Sequence, residues 1–419
     1  MHPGRTAPLK VLAAASTAAL ALSTLTGCGS GSDDGALKLV VAQYTEGTQP
    51  YWKDFVASFE EENPDIKVDV QVIDWSNLQN QINTMVQTQQ LPDILNTNVF
   101  ADYAESELLY PAEEVMSKER MADFLPQFAD NASYKGEQYG LPFVGTVNAM
   151  YYNKDIFAEA GIKEPPKTWD AFLDTAAKLE KEDPDTIPYA LALGSEGGHG
   201  EFGTWARANG GDWKSDEAWT VDSERNVETL DFLRDLTVEH GYTQPNPGKT
   251  NRADGTWPLF AQGKAAMVYG SLGTRAFLDP VEKAGVDYGI ATHPVNHGAE
   301  PSALGIQDYL MAFNAGGDAK KPQIKKFLDA FYEPANYAKY LKTEGLLPTT
   351  ESGSETFRDD PDYAEFVEMI PKARFDPTSD GAWAKLKGGL DNELGTAVAK
   401  DGDPAEVLAR LQQSTDEAS

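Results

Sequence analysis

Two histidines four positions apart, His293 and His297, have the spacing of metal ligands on one helix face. Pro294 and Gly298 break the helix that would align them, so they are expected in a loop, holding no metal. Gly194-Ser195-Glu196-Gly197 and Gly270-Ser271-Leu272-Gly273 each lack one residue of the turn that exposes a nucleophilic serine. Gly263-Lys264-Ala265 lacks the upstream glycine and the following Ser or Thr of a phosphate-cradling loop. These patterns predict neither catalysis nor a cofactor, and the remaining chemistry is that of binding. Trp205, Trp213, Trp219 and Trp257 fall within the Gly/Pro-dense segment 194–257, and aromatics in loop-like sequence mark a binding face.

The sole cysteine, Cys28, ends the run Leu25-Thr26-Gly27-Cys28. Ahead of it lie Arg5 and Lys10 and an acid-free apolar stretch from Val11 to Leu25, the layout of an export signal. The pattern resembles the lipobox of bacterial lipoproteins, in which the thiol receives a diacylglyceryl group and becomes the first mature residue. The resemblance implies a signal peptide over 1–27, a lipidated tether over 28–36, and a protein held at the cell membrane on its extracytoplasmic side. The apolar run is too short to span a bilayer comfortably. With Cys28 acylated no thiol remains for a disulfide, so stability must come from packed cores.

The full chain has 419 residues, 66 acids against 35 basic residues, and a net charge of -31. Such a surface repels phosphate backbones, which argues against nucleic acid as a partner. The length exceeds what one core usually covers, so two lobes are expected.

The elements that must carry any site follow from periodicity. The run 37–41 reads as a buried strand, Trp52, Phe55, Val56 and Phe59 as a helix, and 66–72 as an alternating strand. A second helix carries Leu78, Ile82, Met85 and Val86, and 91–95 returns to a strand. This β-α-β-α-β order predicts a mainly parallel sheet, with ligands at the strands' carboxyl ends. The stretch 146–154 reads as a strand leaving one lobe for the other, and Thr168 as the cap of a following helix. A strand through Tyr309 and Leu310, then a helix with Ile324, Phe327 and Phe331, reads as the chain crossing back. After 344–349 the remainder is expected to be helical. Trp52, Phe55, Tyr152, Trp169 and Phe327 fit core-facing stripes.

Several separated stretches agree on one family: 59–68 (FEEENPDIKV), Leu91-Pro92-Asp93, 150–157 (MYYNKDIF) with Gly161, 166–170 (PKTWD), 260–267 (FAQGKAAM) and 345–348 (GLLP). In this order the chain resembles the extracellular sugar-binding proteins of ABC importers, the broad maltose-binding group. The resemblance implies an α/β, two-lobed periplasmic-binding-protein-like fold of type II, with the ligand cleft between hinged lobes. Lobe 1 is expected to comprise 37–145 and 304–345, and lobe 2 to comprise 146–303 and 346–419. It further implies a monomer that captures a carbohydrate, an oligosaccharide in this reading, hands it to permease subunits and performs no reaction.

A sugar has apolar ring faces and a belt of hydroxyls, so its site needs aromatics and convergent polar groups. By position, Tyr44 and Glu46 follow the first strand, and Asn98 and Asp102 the third. Thr146, Gln307 and Asp308 lie at the crossover, where hinge hydrogen bonds are the competing role. Trp205 and Trp257 are candidate stacking platforms, with Tyr269 and Ser271 after a strand. Arg374 and Trp383 fall where related proteins place a late contribution to the cleft. Two rival readings use the same residues: an anionic solute such as a glycerol phosphodiester or a peptide, and a secreted glycoside hydrolase working with two carboxylates.

Overall fold

A computed structural model describes residues 35–419, apart from 216–217, 272–273 and 361–362. The expected export signal and the expected lipidation site, Cys28, lie outside the described residues. The first strand, Leu37–Gln43, pairs in parallel with Val68–Asp74 on one side and Ile94–Thr97 on the other. The helices Thr48–Glu62 and Trp75–Gln87 connect them, in the expected β-α-β-α-β order. The first helix buries Tyr51, Trp52, Phe55 and Phe59, and Asn63 ends it by directing both its N–H and its side-chain amide to the Phe59 carbonyl.

The sheet continues through two strands that cross between lobes. Leu141–Asn153 is thirteen residues long and buried at all but two of them. Its first half runs antiparallel to the return strand Ala303–Ala312, and its second half to Ala265–Ser271 and Tyr288–Ala291. The return strand in turn pairs with Ile94–Thr97. A third crossing runs beside them, where Gly145 and Leu347 exchange both backbone hydrogen bonds at 3.1 and 3.0 Å. A Cβ on Gly145 would lie 2.9 Å from the Phe128 ring, so glycine is what lets these layers close up.

Two separate cores flank this junction. Trp52, Phe55, Phe143, Phe327, Phe331 and Tyr340 pack together in the first, with Trp52 and Phe331 stacked at a centroid distance of 5.1 Å. Phe172, Tyr189, Trp205, Trp213, Trp383 and Leu386 fill the second. Trp169 and Tyr152 pack on that second core and Phe327 on the first, as the stripes predicted. The chain thus forms two α/β lobes. Among the described residues no helix is long and apolar enough to cross a membrane.

Two local expectations fail. The segment after Gly197 is not a loop but the helix Gly198–Ala208. Its glycines serve close approach rather than turning: a Cβ on Gly200 would meet the Tyr269 hydroxyl at 2.9 Å, and one on Gly203 the Trp213 ring at 2.7 Å. The chain after 349 is also not wholly helical, because Ala373–Phe375 adds a short parallel strand beside Ala303–Gly305.

Candidate functional site

In an antiparallel ladder, directly paired residues point to one face and their neighbours to the other. Leu304, Ile306 and Asp308 pair with Asn148, Thr146 and Val144, so these six share one face of the crossing strands. On this face Ile306 is 36 % exposed, although most of its strand is buried. At the first-lobe end, the Tyr44 hydroxyl donates to Asp308 Oδ2 at 2.7 Å and lies 3.3 Å from Asn96 Oδ1. Burial pushes the Asp308 carboxyl up to about 6, against the lowering effect of the Tyr44 hydrogen bond. Burial, with Asp308 next, also raises the Tyr44 phenol.

At the second-lobe end the same face opens into a pocket of about 220 Å³, walled by Asn148, Leu304 and Ile306 on the strand side. Opposite lie Ser195, Glu196 and Gly197, the first turn of the helix Gly198–Ala208, Arg252, Tyr269, Lys387 and Asp391. Each charge there is matched. Glu196 Oε1 accepts from Arg252 Nη2 and Nε at 2.9 and 3.2 Å, and Oε2 from the backbone N–H groups of Arg252 and Ala253, both at 2.9 Å. The Arg252 guanidinium rests over the Trp257 ring, 4.8 Å from its centroid. Asp391 Oδ1 accepts from the His199 backbone N–H and from Nδ1, at 3.1 and 2.8 Å, and Oδ2 from Lys387 Nζ at 3.0 Å. Burial opposes the charge on Asp391, but the His199 hydrogen bond and the Lys387 ammonium outweigh it and hold the carboxyl below its usual range. The floor is Asn148, whose Nδ2 donates to the Tyr269 hydroxyl at 2.6 Å.

A charge-balanced, hydrogen-bond-rich cavity beside an aliphatic strand face can hold a neutral polar molecule, offering acceptors and donors without a net field. Among the described residues no group of three or more His, Cys, Asp or Glu could hold a metal. His293 is buried, its Nε2 3.4 Å from the Tyr189 hydroxyl, while His297 reaches the Glu228 carboxylate at 2.8 Å.

Of the residues singled out in the sequence, the fold brings Tyr44, Thr146, Asp308 and Tyr269 to this face or its pocket. Glu46, Asn98 and Asp102 stand exposed on the first lobe, none of them in the pocket wall. Gln307 points away: its Nε2 donates to the Phe128 carbonyl at 3.0 Å and its Oε1 accepts from Asn131 at 3.1 Å, on the face opposite Asp308. Ser271 is buried, accepting from Thr274 at 2.8 Å. Trp205 is wholly enclosed among Phe172, Tyr189, Phe232 and His293, its Nε1 donating to the Tyr189 hydroxyl at 3.1 Å. Trp257 is buried against Phe277, its Nε1 donating to the Tyr269 carbonyl at 3.0 Å. Trp383 is buried beside Trp213 and His199. These tryptophans therefore build the wall behind the pocket instead of lying open in loops. Arg374 is exposed, 4.0 Å from the Asp212 carboxylate.

Sequence reasoning missed Asn148, Glu196, His199, Arg252, Lys387 and Asp391. For Asn148 a signal existed, since it stands two places from Thr146 on the same strand and so shares its face. The Glu196–Arg252 and His199–Asp391 pairs join residues 56 and 192 positions apart, and only the fold brings them together.

The model of the bacterial extracellular solute-binding protein family matches residues 42–338. A binding protein of Brucella abortus (strain 2308) is 28% identical over 388 residues, spanning 90% of this chain and 92% of that one. The maltotriose-binding protein of Pyrococcus abyssi is 25% identical over 356 residues, 81% of this chain and 73% of the other. Among solved structures, the cyclic alpha-maltosyl-1,6-maltose binding protein of Arthrobacter globiformis superposes with a TM-score of 0.78 at 20% identity, over 92% of this chain and 99% of its own. A Thermotoga lettingae ABC transporter solute-binding protein bound with alpha-D-tagatose gives 0.77 at 21% identity, over 91% and 99%. With the family model spanning well over half its length, this chain belongs to the bacterial extracellular solute-binding proteins.

Proposed function

We propose that the cleft captures a neutral carbohydrate and that the protein, a monomer tethered through a lipid on Cys28, hands it unchanged to the permease subunits of an ABC importer. The observation that carries this reading is the internal pairing of every charged group in the second-lobe pocket. Glu196 is matched by Arg252, and Asp391 by His199 and Lys387, with Ile306 and Leu304 supplying apolar surface for a ring face. An anionic solute would need uncommitted cations. The backbone N–H at the start of the helix Gly198–Ala208, where an anion would otherwise sit, is taken by Asp391.

The face from Leu304 to Asp308 spans about 13 Å, longer than one pyranose ring. That supports an oligosaccharide with one unit in the pocket and another toward Tyr44 and Asp308. In our reading lobe 1 comprises 37–145 and 304–345, and lobe 2 comprises 146–303 and 346–419. A ligand touching both favours their closed arrangement, because only there does it meet both sets of contacts. The relatives named for maltotriose and for mannitol, the latter in Pseudomonas aeruginosa, agree with this ligand class. Another is named for sn-glycerol-3-phosphate, the charged alternative.

Thermal-shift measurements with maltotriose, D-mannitol, D-tagatose and sn-glycerol-3-phosphate test the reading. A neutral sugar or polyol should raise the melting temperature by mass action. Stabilisation by the phosphate ester alone overturns the ligand class, and new reducing ends on prolonged incubation with maltotriose overturn the binding-only role.

A further inference from the structure

The helix Gly198–Ala208 brings one imidazole to the pocket wall, and its surroundings fix the role of each ring nitrogen. His199 Nδ1 lies 2.8 Å from Asp391 Oδ1, the same oxygen that accepts the His199 backbone N–H. A carboxylate already engaged by Lys387 Nζ and by a backbone N–H has only lone pairs to offer, so the ring hydrogen sits on Nδ1. In the neutral imidazole Nε2 is then an acceptor. The Trp383 ring meets the imidazole at 71°, centroids 6.2 Å apart, and limits its rotation. The side chain keeps 17 % of its surface exposed, and among the described residues nothing pairs with Nε2. Among the neighbouring polar groups, Glu196 and Arg252 are committed to each other and the Tyr269 hydroxyl accepts from Asn148 Nδ2, while Asn148 Oδ1, buried at the floor, is left without a partner among the described residues.

We infer that His199 is the specificity-determining acceptor of the second-lobe pocket, its Nε2 taking a hydrogen bond from one hydroxyl of a neutral ligand, with Asp391 as the positioning residue that fixes its tautomer. This assignment rests on the reading of the cleft as a site for a neutral hydroxylated solute. It implies discrimination at a single ligand position. An analogue lacking that hydroxyl leaves the ring nitrogen unpaired in a confined site, whereas loss of a hydroxyl elsewhere is felt less there.

Isothermal titration of the full mature chain with maltotriose, D-mannitol and D-tagatose first identifies the tightest of the three, and its monodeoxy analogues are then titrated. Wild-type protein should reject one monodeoxy analogue by about tenfold. His199→Phe keeps a flat ring against Trp383 but no acceptor. It should bind the parent about tenfold more weakly and no longer distinguish it from that analogue. Asp391→Asn should shrink the same discrimination, because an amide can donate to Nδ1 and drive the hydrogen onto Nε2. Unchanged affinity and unchanged discrimination in His199→Phe overturn the assignment, and unchanged discrimination in Asp391→Asn overturns the positioning role. Should His199→Phe not fold, His199→Gln is read instead, with a loss of about threefold expected and wild-type affinity overturning the inference. If none of the three probes binds wild-type protein, the carbohydrate reading itself fails and this assignment with it. Binding that ignores His199 removes only the assignment.

Discussion

Tyr44 and Asp308 stand 264 positions apart and meet through a 2.7 Å hydrogen bond, the phenol donating to the carboxylate where the first strand ends beside the return strand. The bond ties the loop after Gln43 to the face on which Ile306 and the second-lobe pocket lie. It also stabilises the charged form of a carboxyl whose surroundings disfavour that charge.

Removing the phenol's hydroxyl should therefore raise the Asp308 carboxyl further. Because its folded value, about 6, lies above its ordinary 3.8, Asp308 contributes most to stability at low pH and loses that contribution as pH rises through this window. Tyr44→Phe should cost about 1 kcal/mol at pH 8 and widen the window upward. Asp308→Asn should flatten it. Urea unfolding between pH 4 and 8 reads both, and parallel curves for all three proteins would refute the coupling.

A larger effect of the same sign belongs to Glu201, fully buried two residues beyond His199 on the same helix. Burial pushes its carboxyl up to about 8, against the opposing hydrogen bonds from the Tyr189 hydroxyl at 2.5 Å and the Ala192 N–H at 3.1 Å. Stability should fall from pH 4.5 to 8 by an amount on the order of 4 kcal/mol, and Glu201→Gln should abolish most of that slope. His293 acts in the opposite sense. Burial lowers it to about 3, so it contributes stability above pH 6.5 that is lost as pH falls. Denaturant midpoints of Glu201→Gln and wild type at pH 5 and 9 decide the first claim.

Trp205 is a core residue, so Trp205→Ala should destabilise the protein by about 3–5 kcal/mol and depress the melting temperature with or without ligand. A variant of wild-type stability with lost sugar binding would instead give the indole a direct ligand role.

Arg252→Met should leave Glu196 held by two backbone N–H groups but otherwise uncompensated. The ion pair is partly exposed, 21% and 40% for the two side chains, so its loss should cost less than about 1 kcal/mol of stability. Ligand affinity should drop about tenfold, because the pocket gains a net negative charge and Trp257 loses its stacked guanidinium. Calorimetric titration separates the two effects, and unchanged affinity would place the ligand elsewhere on the sheet face.

Cys28→Ser should move the protein from the membrane fraction to the soluble one while leaving ligand binding intact. Retention at the membrane would mean that Cys28 is not the anchor.

The first lobe was legible because its elements are periodic: the stripe of Trp52, Phe55 and Phe59 and the apolar strand 37–41 each predict one element and one buried face, while the strand expected over 91–95 starts later, at Ile94–Thr97. The crossing strands were legible as strands. Their faces were not assigned, and counting in twos from Asp308 would have separated it from Gln307. The helix Gly198–Ala208 was hidden because glycine marks both turns and close packing, and sequence alone does not distinguish the two. The ion pairs of the pocket were illegible for a different reason. Glu196 and Asp391 resemble the chain's other acids until the fold sets Arg252 and His199 beside them.

Both cores depend on late sequence. Trp52 stacks on Phe331, and Trp213 packs against Trp383. A nascent chain emerging from its N-terminus thus cannot seal the first core before about residue 357, nor the second before the helices Trp383–Ala397 and Pro404–Asp416 have been made. Contacts this distant in sequence delay folding. The interlaced topology accordingly keeps the newly made polypeptide open until synthesis is nearly complete, the state in which a chain can still be threaded across a membrane.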